Sequence, residues 1–126
     1  EAIMNNHELT FGNFISQKRK DLRITLKDMA DRLNISSPYL SDVEKGKRDS
    51  FDLERLNQIA KILNLDEEES SIMMDLAGKQ RNTVAPDLPE YILKTKGVSV
   101  ALRKARDLDV KEEEWIKFIE EIEKER

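Results

Sequence analysis

The sequence contains no cysteine, which excludes a disulfide framework and any thiolate metal site. Glycine and proline are scarce, at four and three residues in 126, so long loops and frequent turns are not expected. No apolar run approaches the ~20 residues needed for a membrane span. Valine, isoleucine and threonine show no sustained alternation, so no sheet is expected. The one histidine, His7, stands in an aperiodic N-terminal stretch with no partner. No nucleophile elbow, phosphate-cradling loop or metal-ligand spacing occurs. Catalytic residues, metals and cofactors are therefore all expected to be none. Residues 1–8 are expected to be loosely held, with Glu1 to about Met4 reading as a cloning remnant. No secretory signal is visible, and a cytoplasmic protein is the default expectation.

Charge is what the sequence has in quantity. Charged and hydrophobic residues each make up 38%, the balance of a small, highly solvated helical protein. The net charge of −4 is unevenly spread. Residues 1–65 hold 11 Lys and Arg against 10 Asp and Glu, a net of +1. Residues 66–126 hold 11 against 16, a net of −5. Affinity for nucleic acid comes from local phosphate contacts, so the total does not exclude it.

The most informative stretch is Thr25 to Gly46. Thr25 can cap a short helix, with Asp28 completing a weak capping box. Leu26, Met29, Ala30 and Leu33 share one face of it. Asn34 tolerates the left-handed conformation that stops a helix, and Ile35 points back to the core. Ser36 then caps a second helix, with Pro38 in the first turn where a missing N–H costs nothing. Leu40 and Val43 face inward and Gly46 ends it. Two helices of about eight residues so closely joined must cross steeply, as in a helix-turn-helix.

These residues resemble the Xre/Cro-type helix-turn-helix regulators. The likeness lies in Thr25 to Ala30, Leu33 to Ser36 and Tyr39 to Arg48, and extends from about Phe11 to Leu65. It implies an all-α fold: a five-helix lambda-repressor-like DNA-binding domain, followed here by a C-terminal three-helix extension. Two positions depart from the family pattern. Asn34 replaces the usual glycine, and Leu26 stands where many relatives carry a phosphate-binding glutamine. The resemblance also implies that Arg19, within the basic run Lys18-Arg19-Lys20, pairs with Glu44 as a structural ion pair. The ordinary explanation of that run is helix-dipole charge.

Around the motif, Thr10 can cap a helix carrying Phe11, Phe14, Ile15 and Lys18, which Leu22 and Ile24 would close against the core. Residues 47–51 form a loop. Asp52 can cap a helix with Leu53, Leu56, Ile59, Ala60 and Leu63. Asp66 can cap another, with Glu67, Glu68 and Glu69 in a dipole-favoured, solvated first turn. Its expected apolar face is Ile72, Met73, Leu76 and Ala77, with Gly78 as its stop. The boundaries expected are 9–78 for the DNA-binding domain, 79–87 for a linker and 88–126 for the extension. In the extension, Pro89, Gly97 and Asp109 punctuate three helices, Asp109 as an N-cap. Trp115, Phe118, Ile119 and Ile122 fall on one stripe of the last. That stripe either packs on Val98, Leu102 and Tyr91 or mediates homodimerisation.

By family position, Ser37, Pro38 and Asp42 look toward base edges and Ser41 lies on the same outer face. Lys27, Lys45, Lys47 and Arg48 are candidate phosphate contacts, as is the Tyr39 hydroxyl, and such contacts position rather than specify; Ser36, the cap of the second helix, is a further candidate DNA-binding residue. The expected partners are double-stranded DNA and a second copy of the chain, with no membrane. The reading is a repressor on a palindromic operator, without enzymatic activity. The alternative is an antitoxin-like interaction module whose acidic tail binds another protein.

Overall fold

A computed structural model describes residues 9–126; His7 and the expectations for residues 1–8 lie outside the described residues. Among the described residues the chain is all-helical, with eight helices and no strand. They are α1 (Phe11–Asp21), α2 (Leu26–Leu33), α3 (Ser37–Glu44), α4 (Leu53–Ile62), α5 (Glu67–Gln80), α6 (Pro89–Lys94), α7 (Val98–Asp107) and α8 (Glu112–Lys124). The chain divides into two compact units, the second being Glu90–Arg126.

The first unit is built by capped helices around one core. Thr10, Thr25, Ser36, Asp52 and Asp66 each accept a hydrogen bond from the backbone N–H three residues on, satisfying donors that a helix start leaves free. At Asp66 the capping box is complete, because Glu69 reaches back to the Asp66 N–H at 3.0 Å. At Thr25 only half of the expected box forms: the Asp28 carboxylate turns to Arg32 instead, at 3.0 Å. A charged partner one turn away competes successfully with a neutral N–H.

The helices end in a repeated way. Arg23, Asn34, Asn64, Asn82 and Asp109 all have φ between 53° and 61°. After each, the next residue's N–H returns to the carbonyl five positions back, as in Ile35 to Ala30 at 3.0 Å and Leu65 to Ala60 at 2.9 Å. This is the left-handed stop that glycine usually supplies, here made by other residues in a glycine-poor chain.

Phe11, Phe14, Ile15, Met29, Ala30, Leu33, Leu40, Val43, Leu56, Ile59 and Leu63 fill the core. Three expectations about its edge are corrected. Leu22 does not close α1 against the core but is 47% exposed, since the chain turns left-handed at Arg23 and Ile24 takes the inward place. On α5, Met74 is buried while Ile72 is exposed. Gly78 does not stop α5, which runs on to Gln80. Gly78 is instead a contact point, where a Cβ would meet the Val84 carbonyl oxygen at 2.5 Å. The stretch 81–88 folds back there, and Ala85 joins the core at 6% exposure.

In the second unit, α6, α7 and α8 have no buried residue. Asp109 is not the N-cap of α8 as expected. It is the left-handed stop of α7, with φ 59°. Lys111 takes the N-cap place, and Glu114 accepts from its backbone N–H at 3.1 Å.

Candidate nucleic-acid interface

The α2–turn–α3 hairpin sets the candidate site. Ala30 is fully buried, and a side chain this small permits close helix approach. Asn34 adopts φ 61°, ψ 43° and turns the chain in one residue. Ser36 Oγ accepts the Tyr39 N–H at 3.2 Å, which starts α3. Leu40 and Val43 are 0% exposed and fix the rotation of α3 about its axis. Pro38 is thereby exposed, while Ser37, Ser41 and Asp42 are half-buried on the outer side; Lys45 and Gly46 lie exposed at the exit.

The end of α3 is pinned by α1. Arg19 of α1 donates from Nε to Glu44 Oε2 at 2.9 Å and from a terminal nitrogen to Oε1 at 3.0 Å. Its other terminal nitrogen donates to the Ile24 carbonyl at 2.9 Å. Beside it, α1 comes so close that a Cβ on Gly12 would meet the Val43 carbonyl oxygen at 2.6 Å. This close approach went unread in the sequence.

The cations differ in how they are held. Lys27 pairs with Asp31 at 3.1 Å on the α2 surface. No carboxylate among the described residues pairs with Lys45 or Lys47. The Arg48 guanidinium lies 4.8 Å from the centre of the Tyr39 ring. Tyr39 in turn meets Phe51 edge-on at 5.8 Å, and Phe51 meets Phe11 at 6.3 Å. Tyr39 is thus half-buried and links Arg48 to the core.

Two further residues bear on this face without any signal in the sequence. Gln80 and Arg81, at the end of α5, hydrogen-bond the loop that follows α3. A stop at Gly78 would put both in a linker; α5 runs on to Gln80 instead. The groove next to the α3 exit, about 570 Å³, is lined by Leu9, Lys45, Leu76, Lys79 and Gln80 among others, with no Asp, Glu, His or Cys among the described residues that line it. Among the described residues no His, Cys, Asp and Glu cluster could hold a metal, and no helix is long and apolar enough to cross a membrane.

The helix-turn-helix family matches over residues 15–70, the segment that holds α2, the turn, α3 and the Arg19–Glu44 pair. Two proteins of Mycobacterium tuberculosis, strains CDC 1551 / Oshkosh and ATCC 25618 / H37Rv, both described as uncharacterized HTH-type transcriptional regulators, are each 40% identical over 58 residues. That stretch is 45% of this chain and 40% of each relative, so the chain spans less than half the length of the curated relatives it matches. No solved structure matches. The helix-turn-helix lies within the first unit; residues 90–126 are outside the family match.

Proposed function

We propose that the chain is a sequence-specific DNA-binding transcriptional regulator that represses from a palindromic operator in the cytoplasm. The carrying observation is the α2–turn–α3 geometry within the segment that the helix-turn-helix family matches. In this reading α3 enters the major groove. Ser37, Pro38 and Asp42 face base edges, with Ser41 on the same outer face; a carboxylate there accepts from a cytosine amino group, and a proline contacts a thymine methyl. Ser36, Tyr39, Lys27, Lys45, Lys47 and Arg48 meet the DNA backbone, which fixes register without reading sequence. Arg19 and Glu44 act on the interface indirectly, by holding the end of α3.

One short recognition helix reads few base pairs, so dimeric binding to half-sites is the ordinary solution. Residues 90–126 supply the second-copy contact in this reading, through Trp115, Phe118, Ile119 and Ile122. Selection of bound sequences from random DNA with the purified protein tests the proposal. Enrichment of an inverted repeat is the expected result; no enrichment over the starting pool would overturn it. The exposed apolar stripe of α8 also favours a second reading, an antitoxin-like module that captures a different protein. Tight tail-dependent binding of such a protein, with DNA binding absent, would favour that reading instead.

A further inference from the structure

The residues that follow α3 are charged and exposed, yet their backbone is tied down. The Ser50 N–H donates to Gln80 Oε1 at 2.9 Å, and Gln80 Nε2 donates to the Arg48 carbonyl at 3.2 Å. These two partners fix the orientation of the amide. Reversed, it would set donor against donor and acceptor against acceptor. Ser50 is 2% exposed; its Oγ donates to the Ala77 carbonyl at 3.2 Å, and its own carbonyl accepts from Arg81. One end of α5 therefore holds the loop at Arg48 and Ser50. The other hold on Arg48 is its guanidinium against Tyr39, a residue of α3 itself.

We propose that Gln80 is a positioning residue for DNA binding: it holds the Arg48 loop at the height of the α3 exit, so that Arg48 meets a phosphate already ordered. The inference rests on the DNA-binding reading above. An exposed arginine on a free loop loses backbone and rotamer freedom when it binds. An arginine whose backbone is clamped by an amide and whose side chain lies on an aromatic ring has lost much of it beforehand. Gln80 itself touches no DNA in this arrangement. Its effect reaches DNA through Arg48 alone, and phosphate contacts carry no sequence information.

The test is a double-mutant cycle between Gln80 and Arg48 in the full chain, read as affinity for the selected operator across a salt series. Gln80→Met keeps the volume of the side chain and removes both hydrogen bonds; Gln80→Ala is its companion. Each is expected to weaken binding up to roughly tenfold, the size of effect that one or two net hydrogen bonds carry. The salt slope should flatten by up to about one phosphate contact, with base preference unchanged. In an Arg48→Ala background the same substitutions should add almost nothing. Amide hydrogen exchange on the free protein should show Ser50 losing protection in Gln80→Met while α3 keeps its own. An equal loss with and without Arg48 would reduce Gln80 to fold maintenance, and wild-type affinity in Gln80→Met would likewise overturn the proposal. A wild-type chain that binds no DNA would overturn both this inference and the function it rests on, whereas normal wild-type binding isolates the failure to Gln80.

Discussion

Arg19 and Glu44 join the first helix to the end of the third through two parallel hydrogen bonds, at 8% and 9% exposure. A pair this enclosed adds little net stability, because both charges leave water to form it. Its asymmetry is what matters: deleting one partner strands the other. Glu44→Ala should cost roughly 3–5 kcal/mol, the range for breaking a buried pair. Glu113→Ala removes an exposed carboxylate from α8 and should cost far less. Thermal unfolding of the two variants compares them directly, and equal melting temperatures would refute the stranding argument.

The cations at the α3 exit give a second expectation. Lys45 and Lys47 are exposed, so binding should not have to break a native ion pair to use them. Lys45→Ala and Lys47→Ala should each weaken binding uniformly across DNA sequences and reduce the salt slope by about 1. Asp42 is different, because an acid near phosphates is repulsive unless it accepts from a base. Asp42→Ala should alter which bases are preferred. An unaltered sequence selection for this variant would remove Asp42 from base readout.

A third expectation concerns pH. Lys18 Nζ donates to Glu69 Oε2 at 2.6 Å, joining α1 to α5. The bond to Lys18, then that from the Asp66 backbone N–H, holds the Glu69 carboxyl below its ordinary 4.5. The same bond to Glu69 raises Lys18 above 10.5, against a smaller opposing effect of burial. A lowered carboxyl stabilises the fold above the ordinary carboxylate value, and that share is lost as pH falls through the folded value. A raised lysine stabilises below 10.5 and loses its share as pH rises through its folded value. Glu69→Gln should therefore flatten the acid limb of stability against pH. The pair is about one-third exposed, so the effect should also shrink in salt. Urea titrations on both sides of the carboxylate range measure it; an acid limb as steep as wild type would count against the bond.

The motif was legible because each of its signals is local. A cap at Ser36, a left-handed residue at Asn34 and the Leu40–Val43 spacing all act within a few positions. Long-range demands left no such mark. Gly78 looks like a helix stop until Val84 comes back against it. Gln80 looks like linker until Ser50 is seen beside it. The α5 face is ambiguous by one residue, since Ile72 and Met74 flank Met73 and hydropathy alone does not choose between them. Asp109 has an N-cap's chemistry, but the end of α7 required a left-handed residue first.

Those left-handed stops yield a fourth expectation. Any Cβ crowds the following carbonyl oxygen in this conformation; Asn offsets the cost because its short polar side chain bonds locally, which a long arginine side chain does not do. Arg23, at φ 59°, is therefore the more strained of the two stops that flank α2. Arg23→Gly should stabilise the fold by up to ~1 kcal/mol, reduced by glycine's extra unfolded-state freedom. Asn34→Gly should gain less. A larger gain at Asn34 than at Arg23, read from chemical denaturation midpoints, would contradict this account.

The last expectation concerns assembly. The unit 90–126 has fewer than ~40 residues, a size at which a chain without disulfides or metals usually needs oligomerisation to hold a core. None of its residues is buried. Trp115 and Phe118 meet edge-on at 6.1 Å, yet they are 37% and 53% exposed, with Ile119 at 52% and Ile122 at 39%. A tryptophan and a phenylalanine each remove roughly 150–250 Å² from water when fully covered, so covering this stripe would give the unit the core it lacks. Self-association through it also fits the need of a single recognition helix for a second half-site. Ile119→Glu places a charge in the middle of the stripe and should yield a monomer with an intact first unit and much weaker operator binding. A fragment ending at residue 89 should behave the same way; one ending at 80 would lose Arg81 and the buried Ala85 and so confuse dissociation with unfolding. Light scattering at tens of micromolar compares the three chains. A monomeric full-length protein, or a 1–89 fragment that dimerises as well as the whole chain, would rule out the tail as the dimer contact.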